Sequence, residues 1–232
     1  MDFEVVPIIG LAENAYLIKG KHIALVDTMA AKSFKRILKV LTREGLSVGD
    51  VELILITHNH FDHAGNAAKI KELSGATIIA GAEDAGVIEG TELIPPASDI
   101  NRLGRTLGKL PDSWFRNYQK FDKVTIDRKV EGGDTIPELG LEVIGLPGHT
   151  VGGVGYLDRE GKRAFIGDLM SNFFGRPGMP ALSASKSLQD IYQSQELLAS
   201  LDLQTAYPGH GKIIEPDASN VIGMFVGKKK AS

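Results

Sequence analysis

Residues Thr57-His58-Asn59-His60-Phe61-Asp62-His63 set three imidazoles and one carboxylate within six consecutive positions, His58 to His63. They follow an apolar run, Val51, Leu53, Ile54, Leu55 and Ile56, that reads as a buried strand. The fold therefore has to bury a strand and leave it through a turn whose side chains stay polar. Histidine is scarce, six in 232 residues, yet five of the six fall in this heptad or in Gly148-His149-Thr150 and Gly209-His210-Gly211. Core histidines scatter; a cluster of this kind points to metal binding.

Composition narrows the rest. With 43% hydrophobic residues the chain can bury a full core, and no linker interrupts it, so 1–232 reads as a single domain. A formal charge of −3 without a basic stripe argues against nucleic acid as a partner. Lys228-Lys229-Lys230 reads as a solvated tail. No secretory leader is visible, and no apolar run approaches the ~20 residues that span a bilayer. A cytoplasmic protein without a membrane partner is the expectation. Zero cysteines exclude disulfides, thiolate ligands and a cysteine nucleophile.

The first residues read as a meander, Phe3 to Ile9, Asn14 to Ile18 and His22 to Asp27. A helix is expected from Lys32 to Glu44, and a second from about Ala64 to Leu73, with a short strand Ala76 to Ala80 after it. From about 84 to 123 the periodicity is weak, and Pro95-Pro96, Gly104, Gly108 and Pro111 suggest an irregular segment. Strands follow at Leu141 to Leu146, Val154 to Leu157 and Arg163 to Ile166. A helix from Ser185 to Leu201 has only Gln195 off its apolar face, and Thr205 to Tyr207 is a last short strand. The Ser183, Ser185 and Ser187 stretch reads as that helix's start. The order suggests two β-rich halves with helices outside.

Imidazole nitrogen and carboxylate oxygen suit a divalent ion of borderline softness. Spacings of two and three within the heptad splay the rings, so one turn can serve two ions, one through His58 and His60, the other through Asp62 and His63. Further ligands must come from elsewhere. His149, Asp168 and His210 are the candidates, each beside a glycine that allows a tight turn. Seven candidates without cysteine suit an open catalytic pair rather than a closed structural site.

His-x-His-x-Asp-His followed by Gly-His-Thr, Gly-Asp and Gly-His-Gly resembles the metallo-β-lactamase superfamily over nearly the whole chain. The resemblance implies an α/β fold, a four-layer αββα sandwich with the metal site at one edge of the two sheets. It implies a first ion on His58, His60 and His149, a second on Asp62, His63 and His210, and Asp168 bridging them. Asp27 matches the family's outer-shell aspartate, which orients the ligand loop. Two divalent ions follow, zinc by expectation, with iron or manganese also compatible. A hydroxide shared between them would attack the substrate near neutral pH. Asp62 would orient it or carry its proton to the leaving group.

Within the family the chain looks most like the glyoxalase II group, which cleaves thioesters. The absent cysteine and Asp168 as bridge speak against a β-lactamase, and His60 in place of a glutamate against redox di-iron chemistry. About twenty residues follow His210, fewer than glyoxalase II uses to hold glutathione. No tyrosine follows Asp168 closely, as it does in acyl-homoserine lactonases. The expectation is a promiscuous hydrolase of a thioester, lactone or related carboxylic ester. Phosphodiester or phosphotriester hydrolysis is an alternative. So is a mononuclear iron persulfide dioxygenase using His58, His149 and Asp168.

The substrate, a small molecule, is expected against an apolar wall of Trp114, Phe115 and Tyr118 with Phe173 and Phe174, while Arg116 or Arg176 holds a distal anion. The same apolar surface equally suits a homodimer contact, or simple packing of the segment as a lid.

Overall fold

Strands that are apolar on both faces need cover on both faces, and the first sheet shows how this chain supplies it. The computed structural model describes residues 3–230. One sheet has the order β1 (Glu4–Ile9), β2 (Asn14–Lys19), β3 (Ile23–Val26), β4 (Leu53–Ile56), β5 (Thr77–Gly81) and β6 (Arg128–Val130). The first three pair antiparallel through tight turns, whereas β3 to β6 pair parallel. Parallel pairing needs a crossover, and helices provide it. α1 (Phe34–Arg43) leads from β3 to β4. α2 (Phe61–Ala64) and α3 (Ala67–Ser74) lead from β4 to β5.

The helix expected over Ala64 to Leu73 is thus broken in two at Gly65 and Asn66. Asn66 is the cause: its Nδ2 donates to the carbonyls of Thr28 at 2.7 Å and Ala30 at 2.9 Å, which anchors the turn after β3. The segment expected to be irregular, 84–123, holds α4 (Ala82–Glu89), α5 (Arg102–Leu107) and α6 (Asp112–Tyr118). Helices of six to eight residues gain little from periodicity and depend on packing, so the pattern hid them.

The second sheet runs β7 (Thr135–Ile136), β8 (Leu141–Gly145), β9 (Val154–Asp158), β10 (Arg163–Phe173) and β11 (Arg176–Gly178) in reverse order, with β12 (Thr205–Gly211) parallel to β10. β10 is longer than its apolar stretch predicts. It continues through Gly167 and Asp168 across two shifts of register against β12, so Asp168 lies within the strand rather than past its end. α7 (Leu188–Ser200) and α8 (Ala218–Lys230) follow. The lysines expected in a tail belong to the last turn of α8.

Three apolar layers hold these parts together. Val26, Leu55 and Ile79 of one sheet meet Val143, Tyr156 and Phe165 of the other. On the far side of the first sheet, Leu25, Ile54 and Ile78 pack on Ile37, Leu41 and Ile70 of α1 and α3. Beyond the second, Leu157, Ala164 and Ile166 pack on Ile191 and Leu198 of α7 and on Ile222 and Val226 of α8. The result is helix, sheet, sheet, helix. Gln195, off the apolar pattern of α7, is nonetheless buried, because its Nε2 donates to the Leu169 carbonyl at 3.0 Å and so ties α7 to the strand carrying Asp168.

Candidate metal centre

Parallel pairing puts the carboxyl ends of β3 and β4 on one edge, and side chains just past those ends meet there. Asp27 follows β3 with φ 60°, a left-handed conformation costly for a residue other than glycine. Its carboxylate explains the tolerance. Oδ1 accepts from the Thr57 amide at 2.8 Å, and Oδ2 accepts from the Thr57 hydroxyl at 2.8 Å and from His63 Nδ1 at 2.7 Å. One buried acid therefore grips both ends of the histidine turn. At the other sheet's edge, Tyr16 Oη and Asn14 Nδ2 both donate to the Pro208 carbonyl, at 2.6 and 3.0 Å, and position the part of β12 that carries His210.

Outer hydrogen bonds decide which ring nitrogen faces inward. The Thr57 hydroxyl donates to Asp27 and so accepts from His58 Nδ1 at 3.0 Å. The Ser185 hydroxyl donates to the Ala181 carbonyl and accepts from His149 Nδ1 at 2.9 Å. His63 Nδ1 donates to Asp27, and His210 Nδ1 donates to the Ala12 carbonyl at 2.6 Å. Four rings thus turn Nε2 toward one another. His60 alone presents Nδ1, which lies 3.0 Å from His149 Nε2. Partners of this kind fix the tautomer that a metal ligand requires.

The inward atoms form three groups, His58 with His60 and His149, Asp62 with His63 and His210, and His58 with His63 and Asp168. Within each group the ligand atoms lie within 4.8 Å of one another. Asp168 stands between the first two groups: one oxygen is 3.2 Å from His63 Nε2, the other 2.8 Å from His210 Nε2 and 3.5 Å from His149 Nε2.

The residues fit a divalent ion by a direct test. His58 Nε2, His63 Nε2 and Asp168 Oδ1 are buried with no hydrogen-bond partner, the His63 and Asp168 atoms being close but misaligned. Buried polar atoms are otherwise almost always paired. Three orphans facing one point call for a ligand that accepts lone pairs.

Charge supports the fit. Burial pushes His58 well below its ordinary pKa, His60 down to about 4 and His149 down to about 3, so all three rings are neutral at pH 7. Burial works the same way on His63 and His210, but Asp168 outweighs it. Helped by Asp27, it holds His63 well above the usual range, and it lifts His210 to about 9. Protons on these two rings balance the buried carboxylates when no cation does, and a bound ion has to displace them. Affinity for zinc is therefore expected to rise with pH from neutrality through about 9, where His210 loses its proton. Calorimetry at pH 7 in buffers of different ionisation heat should show net proton release; binding without release would refute this account.

Asp84, not among the residues singled out in the sequence, ties the ligand loops together. Fully buried, it accepts from the Asn59 amide at 3.0 Å, the Thr150 hydroxyl at 2.7 Å and the Gly152 amide at 2.9 Å. Asn59 lies between His58 and His60, and Thr150 follows His149. Burial raises Asp84 to about 6, so it is ionised at pH 7. Gly209 is a second constraint, since a Cβ there would overlap the Asp168 carboxylate and the His63 ring. Ser185, expected only as a helix start, orients His149, while Ser187 caps α7 by accepting from the Asp190 amide.

The aromatic residues divide. A cavity of about 450 Å³ opens on His60, Asp62, His149 and His210 and is walled by Trp114 and Tyr118. Phe173, Phe174 and Arg176 do not line it. They sit at the hairpin between β10 and β11, where the Phe173 ring nonetheless lies 6.2 Å from that of His210. Arg116 is engaged elsewhere, donating to the Ile94 carbonyl at 3.0 Å and pairing with Asp112 at 3.6 Å. The side chain of Phe115 lies outside the described residues. His22 lies apart from the cluster and pairs with Glu52 at 2.8 Å.

Comparison with known proteins shows the family and the fold. The sequence profile of the metallo-β-lactamase superfamily matches residues 8–210. A hydroxyacylglutathione hydrolase of Haemophilus influenzae is 28% identical over 183 residues, 78% of this chain and 77% of that protein. A probable metallo-hydrolase of Methanocaldococcus jannaschii is 26% identical over 219 residues, 94% of this chain and 96% of its own. The crystal structure of a metallo-β-lactamase family protein from Thermus thermophilus superposes with a TM-score of 0.76 at 21% identity, over 99% of this chain and 79% of that one, which shows the shared fold. Among the described residues no helix is long and apolar enough to cross a membrane. The chain belongs to the metallo-β-lactamase superfamily, and its clustered histidines and aspartates equip it as a metal-dependent hydrolase.

Proposed function

We propose that this protein is a binuclear hydrolase of a carboxylic ester bond, in a thioester, a lactone or a related ester. The observation that carries the proposal is the convergence of Asp62, Asp168 and five imidazoles, four of them with tautomers set from outside, with three inward atoms left unpartnered. His58, His60 and His149 would hold one divalent ion and Asp62, His63 and His210 the other, with Asp168 between them. Bound there, such ions supply Lewis acidity, bringing the pKa of water to about 7 and polarising a carbonyl.

The chain's own groups do the rest. The cavity wall excludes water from the apolar side and orients the scissile bond toward the histidines. Asp62 is half-buried, lines the cavity and lies 3.6 Å from His210 Nε2. Its Oδ2 is placed to take the proton of the attacking water and return it to the leaving group. No serine is required for this scheme. Zinc is the ion we expect, since imidazole and carboxylate suit it.

Elemental analysis of protein expressed without added metal, with hydrolysis of thioester, lactone and phosphoester substrates on the same sample, tests the proposal. Two ions per chain, with carboxylic ester hydrolysis lost on chelation and restored by zinc, is the expected result. One iron per chain with oxygen uptake on glutathione persulfide would replace it by the dioxygenase reading.

A further inference from the structure

We infer that the cavity selects an uncharged ester or thioester whose acyl arm is flat, apolar and carries a hydrogen-bond donor, an N–H or O–H. The inference rests on the hydrolase reading above and names its substrate class. Three observations lead to it.

The first is the wall. Trp114 and Tyr118 lie one turn apart on α6 with rings 6.2 Å apart and only 5° from parallel. Tyr118 in turn meets the edge of Phe61 at 5.3 Å, and Leu107 of α5 extends the same surface. Trp114 is 49% exposed and Tyr118 60%, so the wall presents broad aromatic faces rather than buried packing. Such a surface takes a planar apolar group by offset stacking.

The second is the charge of the lining. Among the described residues no lysine or arginine lines the cavity, and Arg116 is committed to Ile94 and Asp112. The adjoining cleft carries Lys186, but Glu83 and Glu92 line it too and leave no net positive charge. A carboxylate on the substrate's arm would lose hydration here without a cation to replace it.

The third is Gln119, 6% exposed and lining the same cavity, whose Oε1 is buried without a partner. A buried amide oxygen in that position is completed by a donor on the substrate. A site built around such a bond rejects the analogue that lacks it.

Four thioesters separate these features. The acyl group is N-acetylphenylalanyl or 3-phenylpropanoyl, and the thiol is N-acetylcysteamine or glutathione. With the zinc-loaded protein, kcat/KM is expected to be about tenfold or more higher for the neutral thiol, and about tenfold higher for the acyl group bearing N–H. In Gln119→Leu the second preference should vanish. Equal or better use of the glutathione thioesters, or an N–H preference that survives in Gln119→Leu, would overturn the inference.

Binding without catalysis keeps this test apart from the hydrolase reading. Trp114 is the chain's single tryptophan, so its fluorescence reports on the cavity. N-acetylphenylalaninamide should quench it and S-methylglutathione should not, whether or not any ester is cleaved. Hydrolysis without quenching by the amide would sink the inference and leave the hydrolase standing. Quenching by the amide alone, with no ester cleaved, would uphold the cavity's selectivity and sink the hydrolase.

Discussion

Asp168→Ala should remove hydrolysis and one of the two ions together, with kcat/KM down by about 10³-fold or more, equivalent to roughly 4 kcal/mol of transition-state stabilisation. The size follows from position. Asp168 is the only carboxylate among the described residues whose oxygens reach His63, His149 and His210, at 3.2, 3.5 and 2.8 Å. Removing it takes negative charge from a buried cluster of imidazoles and separates the two ligand groups. Asp168→Asn should do nearly as much, since it keeps the shape but not the charge. Metal content by elemental analysis and kcat/KM on the same preparation check this, with circular dichroism to show that the fold persists. Two ions retained with activity within tenfold of the parent would remove Asp168 from the centre.

Asp84→Ala tests the clamp between ligand loops. The substitution strands two backbone amides and one hydroxyl, those of Asn59, Gly152 and Thr150, at a buried point. Each unsatisfied group costs about 1–3 kcal/mol, so a loss of about 3 kcal/mol or more in stability is expected. Loosening of the His58–His60 and His149 loops should also weaken one ion by about 10–100-fold, the usual effect of losing an outer partner of metal ligands. Chelator competition and denaturant unfolding separate the two effects. Cobalt substitution adds a direct view, because absorption from the first group should change while that from the second stays. Unchanged affinity for both ions would make Asp84 a purely structural acid.

Much of the site was legible because metal chemistry restricts residue type. Only imidazole and carboxylate were available in a chain without cysteine, and their spacing along one turn is local. A buried apolar run ending in His58 to His63 therefore announced both the strand and the ligands. The two-sided apolar character of Leu53 to Ile56 likewise announced a central strand. Asp27, by contrast, was named only through the family resemblance, and its grip on Thr57 and His63 appears only in three dimensions.

What the tertiary structure alone decided are contacts between residues distant in sequence. Asp84 meets Thr150 across 66 positions, Ser185 meets His149 across 36, and His210 meets the Ala12 carbonyl across 198. The first clamps the ligand loops and the other two select tautomers, and no local pattern encodes them. The same holds for the cavity: Trp114 and Tyr118 reach it although far from every ligand in sequence, while Phe173 and Phe174, close to Asp168 along the chain, do not line it. Sequence by itself determined which chemical groups the protein owns and which short segments they share. Strand register and the packing of the two sheets determined which of those groups meet, because convergence depends on distances through space that side-chain type and spacing do not specify.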